Sequence, residues 1–336
     1  MPSLKAGVIG CGGRGKAHAR GYAACPDTQT AACADPVAEA GDAFAQDFSV
    51  PSTYTDYRDM LEREELDIVS VCTWTGLHRD MIVEAAAAGV KAIHSEKPMA
   101  PTWGESKEIY RACQEHGVVV TFCHQRRFGA RFRKARDLAA DGAVGRLTRL
   151  EGACPNLFDW GTHWFDMFNF YNGDVDAEWV MGQIAVEERK EVFGVRLDTS
   201  GLSWIRWQNG VEGLLATGGA ETQGFHNRII GTEGIIEVGR GQEAPVRLLR
   251  AGRDWETPAL DPQEHDDTVL SVFDLVDALD RGREPELSGA RALRATELIF
   301  ATYESSRART RVRLPLEADD SALLTMIGDG TVGAGL

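Results

Sequence analysis

The stretch AGVIGCGGRG, residues 6–15, decides the fold of the amino-terminal part of this chain. An apolar run from Ala6 to Ile9 leads directly into glycines with G-x-G-x-x-G spacing, and a helical pattern follows. Such glycines allow a tight turn after a strand, let the backbone approach a pyrophosphate, and let the next helix pack closely. The N-terminus of that helix then faces the anion. A turn with a purely structural role is the alternative, because the motif alone is weak.

Asp35 favours the dinucleotide interpretation. It ends the second apolar run 20 residues after Gly15, where dinucleotide-binding folds place the carboxylate that accepts hydrogen bonds from the adenosine ribose. A carboxylate there repels the 2′-phosphate of NADP, and Pro36 offers no guanidinium to bind it, so we expect NAD. The alternative is that Asp35 only begins an Asp-Pro turn into the next helix.

Up to Cys123 the sequence alternates short apolar runs with longer helical patterns, which is typical of a parallel sheet covered by helices. A capping box over Thr102–Glu105 predicts the start of one helix, and Gly117 predicts its end. Thr55 predicts the N-cap of a shorter helix. The predicted strands are Ala6–Ile9, Thr30–Ala34, Ile68–Cys72, Val90–His94 and Val118–Cys123.

After a helix predicted over residues 130–140, strands of alternating polarity joined by hairpin signals replace the earlier pattern. The clearest hairpin surrounds Asn209-Gly210, a pair that supplies the two positive φ angles of a type I′ turn. Residues 228–238 predict a second hairpin. Helical patterns over 267–281 and 289–306 follow, the latter with Ser288 as N-cap, and we expect the last ten residues to be mobile.

Length, charge and cysteine spacing make some classes of function improbable for this chain. The 336 residues suit two domains, and 36 Lys+Arg against 51 Asp+Glu give a net charge of −15, which disfavours nucleic acid and anionic membranes as partners. The seven cysteines include no C-x-x-C pair and no zinc-like spacing. With no signal-peptide pattern and no long apolar run, we expect a cytoplasmic protein with reduced thiols and no metal site.

Two further segments carry a resemblance to a known family. Residues 71–78 (VCTWTGLH) and 94–100 (HSEKPMA) resemble the glucose-fructose oxidoreductase and inositol dehydrogenase family, Gfo/Idh/MocA, over about residues 4–310. Thr73, Leu77-His78 and Glu96-Lys97-Pro98 match the family pattern, whereas Trp74 replaces its usual proline. Trp74 either stacks on the dinucleotide or fills the edge of the core, since tryptophan suits both roles.

The resemblance implies that Lys97 is catalytic. Independently of the family, Lys97 follows a parallel strand at the sheet edge where open α/β folds bind ligands. An ammonium group there can hold a substrate hydroxyl and stabilise an alkoxide-like transition state. A lone lysine after a strand is more commonly a solvated loop charge.

The segment from Asp159 to Asp166 matches the family pattern Asp-x-Gly-x-His-x-x-Asp completely. On a helix, Asp159 and His163 would share one face, with His163 as general base because imidazole exchanges protons near neutral pH. Asp159 would position the lysine or the substrate. The alternative is an N-cap aspartate and a packed histidine on a buried aromatic helix.

Residues 123–128 (CHQRRF) resemble the family segment in which Gln125 and Arg127 contact the substrate or the nicotinamide amide; a surface charge is the alternative for either arginine. His226 either lines the pocket or lies on the surface.

We predict Lys97, Asp159 and His163 as the catalytic group and Lys97, Gln125, Arg127, Asp159 and His163 as substrate contacts. The predicted cofactor contacts are Gly10, Cys11, Gly12, Gly13, Arg14, Gly15, Asp35, Thr73, Trp74, His78, Glu96, Lys97 and Gln125.

The resemblance implies an α/β fold in two domains: an NAD-binding Rossmann domain with a doubly wound parallel sheet, residues 1–124, and a substrate-binding α/β domain with a large, mostly antiparallel open sheet, residues 125–315. Residues 316–336 form a tail. It also implies oxidation of a sugar, inositol or related polyol in a homodimer or homotetramer. Two alternatives stay open: a glycoside-cleaving or isomerising enzyme with tightly bound NAD and no net redox change, and a non-catalytic NAD-binding regulator.

Overall fold

The computed structural model of the protein describes residues 3–219, 225–241 and 243–334. The chain divides into two compact units. The first contains residues 1–101, 105–125 and 264–293, and the second contains 102–104, 126–263 and 294–336. None of the described helices is both long and apolar enough to span a membrane.

The first unit is built on a parallel sheet with the strand order β3-β2-β1-β4-β5-β6. This is the Rossmann order, and the predicted doubly wound sheet is confirmed. The sequence did not predict the strand β3. It has only three residues, Ser-Thr-Tyr, which form no apolar run. The strands are β1 (Leu4–Ile9), β2 (Thr28–Ala34), β3 (Ser52–Tyr54), β4 (Ile68–Val71), β5 (Ala92–Ser95) and β6 (Val119–Phe122).

Helices follow the strands of this sheet, as the alternating sequence pattern predicts. The predicted N-cap of the third helix is wrong: Asp56, not Thr55, accepts the Arg58 backbone N–H at 2.9 Å. Gly117 ends the fifth helix with φ +67°, as predicted. The first helices are α1 (Gly13–Ala24), α2 (Ala38–Phe48), α3 (Tyr57–Arg63), α4 (His78–Ala87) and α5 (Trp103–Glu115).

A later helix, α8 (Asp267–Arg281), belongs to the first unit although the sequence analysis placed it in the second domain. Its apolar face packs against α1: Val272 and Leu275 join the core cluster that contains Tyr22. A Cβ atom at Gly21 would lie 2.6 Å from Val272 Cγ2, so the two helices are in close contact. Burial of this face explains why α8 lies with the first unit.

The second unit contains a sheet whose described strands have the order β15-β14-β13-β7-β12-β11-β8-β16. Neighbouring strands are antiparallel except for the pair β7–β12, so the predicted mostly antiparallel sheet is confirmed. Its strands are β7 (Leu147–Cys154), β8 (Ala177–Ala185), β11 (Ser200–Trp207), β12 (Glu212–Thr217), β13 (Phe225–Gly231), β14 (Gly234–Gly239), β15 (Val246–Arg250) and β16 (Val312–Arg313); β9 (Glu191–Val192) and β10 (Val195–Arg196) form a separate hairpin.

The predicted type I′ turn at Asn209-Gly210 is wrong. Trp207 pairs with Val211, so the loop has three residues, and the Gly210 N–H donates to the Trp207 carbonyl at 2.9 Å. Only Gly210 has a positive φ in this loop, +87°. A turn followed by one left-handed glycine is the usual three-residue hairpin loop.

Helix α7 (Gly161–Tyr171) is buried along its whole length. Residues 316–336, predicted as a tail, contain a further helix, α10 (Ala322–Gly328), with Leu323 and Met326 buried. Ser321 caps it by accepting the Leu324 N–H at 3.5 Å. The remaining helices are α6 (Ala130–Ala140) and α9 (Gly289–Ala308).

Candidate active site

The loop between β1 and α1 has the geometry of a dinucleotide-binding turn. Gly10 has φ +93°, and a Cβ there would lie 2.5 Å from the Cys72 carbonyl oxygen. A Cβ at Gly15 would lie 2.0 Å from the Gly10 oxygen, so both positions require glycine. A Cβ at Gly12, in contrast, would meet no described atom within 4 Å. The loop therefore fits a pyrophosphate, since its open side lies at the N-terminus of α1.

Asp35 joins this loop at the end of β2. One carboxylate oxygen accepts the Cys11 backbone N–H at 2.9 Å, and the other accepts the Val37 N–H at 3.0 Å. The carboxylate thus holds the glycine loop against the end of the second strand. The structure brings the predicted residues Gly10–Gly15 and Asp35 together at one sheet edge.

Glu96, next to Lys97 at the carboxyl end of β5, lies in a buried ionic network. Its Oε1 accepts from Arg14 Nε at 2.6 Å and lies 3.1 Å from His18 Nε2. Burial alone would raise the pKa of Glu96, but the hydrogen bond from His18 and the charge of Arg14 together lower it. Arg14 and Glu96 therefore fix the strand end that carries Lys97, which is itself half-buried. Sequence reasoning missed His18.

The rings of His18 and His94 stack beside this network with centroids 4.4 Å apart. With Cys123 they offer three possible metal ligands, whose atoms lie within 4.8 Å of one another. However, burial raises the pKa of the Cys123 thiol, which opposes the thiolate that a metal requires. The histidine nitrogens also lie within hydrogen-bonding distance of protein groups, namely Ser70, Glu96, Thr121 and Ser271.

His78 connects the loops that follow β4 and β5. Its Nδ1 lies 3.0 Å from the Pro98 carbonyl oxygen and its Nε2 lies 3.2 Å from the Thr73 oxygen. Burial lowers the pKa of His78, and the backbone carbonyls oppose that shift, because a neutral ring can donate a hydrogen bond to only one of them. Trp74 is 65% exposed, which excludes the alternative that it fills the core edge.

Asp159 lies in a turn before α7, so the expectation that Asp159 and His163 share a helix face is wrong. The side-chain oxygen of Asn156 accepts the Asp159 N–H at 2.8 Å and the Trp160 N–H at 3.3 Å. These bonds hold the chain in a turn until the helix begins at Gly161. Asp159 is half-buried, and His163, in the first turn of α7, is buried.

Asp198 stabilises the same turn through hydrogen bonds, and the sequence did not identify it. Its oxygens accept the Leu157 backbone N–H at 3.0 and 3.1 Å and the Tyr303 hydroxyl at 2.7 Å. Burial raises the pKa of Asp198 to about 6, although the hydrogen bonds from Tyr303 and Leu157 oppose that shift.

Arg127 is buried in an ion pair, which argues against its predicted contact with substrate. Its Nη2 lies 2.9 Å from an Asp166 carboxylate oxygen and 2.7 Å from one of Asp174. Burial alone would lower the pKa of Arg127, but the two carboxylates raise it. Arg127 therefore links the end of the short helical turn at 125–128 to α7 through its ion pair with Asp166.

Gln125 lies at the start of that turn, in the first unit. Its side-chain oxygen is buried and has no hydrogen-bond partner within the described parts of the chain. A buried carbonyl oxygen without a donor is costly. This position therefore suits an amide donor from a ligand, such as the nicotinamide amide.

Two family descriptions match the chain. Residues 4–124 match the NAD-binding Rossmann fold of the oxidoreductase family GFO_IDH_MocA, and residues 149–314 match the C-terminal alpha/beta domain of the same family. The chain belongs to the Gfo/Idh/MocA oxidoreductase family. Membership agrees with the fold of each unit and with the glycine loop.

Relatives within the Gfo/Idh/MocA family cover nearly the whole chain. A scyllo-inositol 2-dehydrogenase (NAD(+)) from Bacillus subtilis is 25% identical, with 94% of this chain and 97% of the relative covered. A levoglucosan dehydrogenase from Pseudarthrobacter phenanthrenivorans is 26% identical, covering 94% and 99%. A solved levoglucosan dehydrogenase, in complex with NADH and levoglucosan, has the same fold with a TM-score of 0.82, at 21% identity and covering 94% and 100%.

Proposed function

We propose that this protein is an NAD(H)-dependent oxidoreductase that reversibly oxidises a secondary alcohol of a sugar, inositol or related polyol to a ketone. The observation that carries the proposal is Lys97, which follows β5 at the ligand-binding edge of a Rossmann sheet, next to the buried ionic network of Glu96. Dehydrogenases of sugars and inositols among the relatives support this substrate class.

The cofactor assignment rests on the glycine loop and Asp35. Backbone N–H groups at the start of α1 bind the pyrophosphate, and the Asp35 oxygens accept ribose hydroxyls in addition to their two backbone bonds. Gln125 accepts a hydrogen bond from the nicotinamide amide. A carboxylate at this position disfavours the 2′-phosphate of NADP, so we propose NAD as the physiological cofactor.

The catalytic roles follow from side-chain chemistry and the family motifs. Lys97 donates a hydrogen bond to the substrate hydroxyl oxygen and stabilises the negative charge that develops on it. His163 accepts the hydroxyl proton, and Asp159 orients the histidine or the substrate. When bound, NAD supplies the acceptor for the hydride that leaves the carbon. Lys97 and His163 belong to different compact units, and the family motifs are the reason for assigning them to one reaction.

Absorbance at 340 nm with NAD⁺ and a panel of sugars, inositols and sugar acids tests the proposal. We expect NADH to form with one substrate class, and Lys97→Ala to abolish turnover while NAD⁺ still binds in calorimetry. Lys190→Ala, which removes a surface ion pair with Glu188, should change neither. Retained turnover in Lys97→Ala would remove the lysine from the mechanism. Tightly retained cofactor without net NADH would instead indicate an internal redox cycle.

Location and assembly complete the proposal. All seven cysteines are free thiols, which fits the reducing cytoplasm. We further propose a homo-oligomer, a dimer or tetramer, that forms through the outer face of the large sheet.

A further inference from the structure

A cavity lies in the second unit between α7, α9 and the start of β8. Its volume is about 230 Å³, and its lining includes Asn169 of α7, Arg294 of α9 and Asp176 just before β8. Gln208, in the hairpin loop between β11 and β12, and apolar side chains such as Leu298 also line it. One water molecule takes up about 30 Å³ of the liquid, so this cavity has room for a small organic molecule.

Asn169 brings a buried hydrogen-bond donor to this cavity. The residue is 3% exposed, and its Oδ1 accepts the indole N–H of Trp207 at 3.1 Å, which fixes the orientation of the amide. The other end of the amide, Nδ2, is buried and has no hydrogen-bond partner among the residues that the structure describes. A buried donor without an acceptor is costly. Because Asn169 lines the cavity, an oxygen atom of a ligand there can accept from Nδ2.

Arg294 and Asp176 add a second donor and an acceptor to the wall of the cavity. Arg294 Nε lies 3.0 Å from an Asp176 carboxylate oxygen, and its Nη1 donates to the Asp174 carbonyl at 3.1 Å. These contacts use two of the five N–H groups of the guanidinium and one of the two oxygens of the carboxylate. Each partner holds the other in position, and both keep groups that can bind a ligand.

Gln208 and the carboxylates determine which ligands the cavity favours. The Gln208 backbone N–H donates to the Asp176 carbonyl at 3.0 Å, which holds the hairpin loop at the start of β8. Its exposed side-chain amide offers a further donor and acceptor. Among the described residues that line the cavity, the carboxylates of Asp176 and Glu297 face a single guanidinium, that of Arg294. This surplus of negative charge disfavours an anionic ligand.

We propose that this cavity binds a neutral polyhydroxy compound of the size of a polyol or a monosaccharide. A hydroxyl group both accepts and donates hydrogen bonds, so one ligand can accept from Asn169 and donate to Asp176. An apolar molecule would leave the Asn169 donor without an acceptor. None of the proposed catalytic residues Lys97, Asp159 and His163 lines the cavity, and the inference does not rest on the proposed function.

Calorimetry with the full chain tests the site. The probes are glucose and myo-inositol as neutral ligands and glucuronate as an anion with nearly the shape of glucose. We expect the neutral ligands to bind and glucuronate to bind at least about 10-fold more weakly than glucose, because it carries its charge toward two carboxylates. Lys97→Ala should keep this binding. That variant weakens binding at the proposed catalytic site, so binding that remains belongs to another site.

Two variants assign the binding to the cavity. Asn169→Leu removes the Nδ2 donor at similar size and should weaken binding of glucose or myo-inositol about 10-fold or more. Val175→Trp places an indole in the cavity that Val175 lines, and should abolish binding. It leaves the bond between Asn169 and Trp207 intact, so it tests the site even where Asn169→Leu does not fold. Val192→Trp, at a half-buried position of β9 outside the cavity, is the matched control and should bind normally.

The outcomes decide for or against the cavity. Binding of the neutral ligands that is lost in the cavity variants and kept in Lys97→Ala and Val192→Trp supports the inference. Unchanged binding in either cavity variant, once circular dichroism shows it to be folded, overturns it, as does loss of binding in Lys97→Ala or tighter binding of glucuronate. Failure of every neutral probe to bind also overturns it, since the cavity then takes up only water. None of these results depends on NADH formation, so the dehydrogenase proposal is tested separately.

Discussion

Asp35 combines a charge, which acts on cofactor choice, with two backbone hydrogen bonds that hold the loop. We predict that Asp35→Asn, which removes the charge and one of the two oxygen acceptors, lowers kcat/KM for NAD⁺ relative to NADP⁺ by about 10- to 100-fold, the effect of a charged hydrogen bond. The ratio cancels any disturbance of the loop, because both cofactors use the same loop. The measurement is NADH and NADPH formation with one substrate. Asp42→Asn, exposed on α2, is the control. An unchanged ratio would leave Asp35 as a turn residue only.

Asp198 gives the second unit a pH-dependent stability. Its folded pKa of about 6 lies above the ordinary value of 3.8, so the folded chain binds more protons than the unfolded chain between these values, and stability falls as pH rises through them. Two pKa units correspond to about 3 kcal/mol, as an order of magnitude. We therefore predict that the free energy of unfolding of Asp198→Asn, relative to the unmodified protein, increases by about this amount from pH 4 to pH 7.

Urea denaturation across this pH range measures the effect for Asp198→Asn and for Asp254→Asn, an exposed control. The comparison of variants removes the background from other carboxylates, whose lowered pKa values act in the opposite direction. Parallel pH curves for Asp198→Asn and the unmodified protein would contradict the prediction.

The site residues that the sequence predicts are those whose signal is local. The glycine spacing and Glu96-Lys97-Pro98 each lie within a few residues, and a local pattern identifies them. His18 bonds to Glu96 across 78 positions, and Tyr303 bonds to Asp198 across 105. Such pairings depend on which strands become neighbours, and neither residue is distinctive in its own segment.

At the scale of elements, the same distinction explains which boundaries were predicted. Helix α8 was predicted with its observed bounds because its apolar face repeats with helical period. In the structure Asp266 caps its first turn. The start of α7 was misplaced because one side chain, Asn156, holds the preceding turn open through two backbone bonds. The helical spacing of Asp159 and His163 cannot reveal that competition.

Arg127 links two elements, and its substitution should act on stability rather than on substrate binding. Removing one partner of a buried ion pair costs about 3–5 kcal/mol, because the remaining charges stay buried without compensation. We predict that Arg127→Met lowers the free energy of unfolding by this amount, while KM for substrate is unchanged where the protein remains folded. Thermal and urea denaturation with parallel kinetics measure both quantities.

The control for Arg127→Met is Arg281→Met, which removes an exposed pair with Asp277 and should change stability little. A large rise in KM for substrate in Arg127→Met, with stability preserved, would restore the original expectation that Arg127 contacts the substrate.

For the whole molecule, the sequence suggested two domains in succession, with the boundary near residue 124. The first unit also includes residues 264–293, so it is formed by segments that are not continuous in the sequence. The family matches, over 4–124 and 149–314, are continuous and do not show this discontinuity. The packing of Val272 and Leu275 in one core cluster with residues of α1 places α8 in the first unit.

The outer face of the large sheet should determine the assembly of the protein. Met181 on β8 pairs with Trp204 on β11, and Met181, Leu202 and Trp204 are 48%, 51% and 38% exposed. The ring centroids of Trp204 and Trp179 lie 5.1 Å apart. A contiguous apolar patch on an open sheet is typical of a protein–protein interface.

We therefore predict that the protein is a dimer or tetramer at micromolar concentration and that Trp204→Lys reduces it to a monomer, because a charge in the buried centre of an interface is strongly unfavourable. Light scattering coupled to size-exclusion chromatography measures the mass. Phe193→Lys, 45% exposed and outside this sheet, should leave the oligomer intact. A monomeric mass for the unmodified protein would defeat the proposal, and an oligomer that survives Trp204→Lys would move the interface away from β8 and β11.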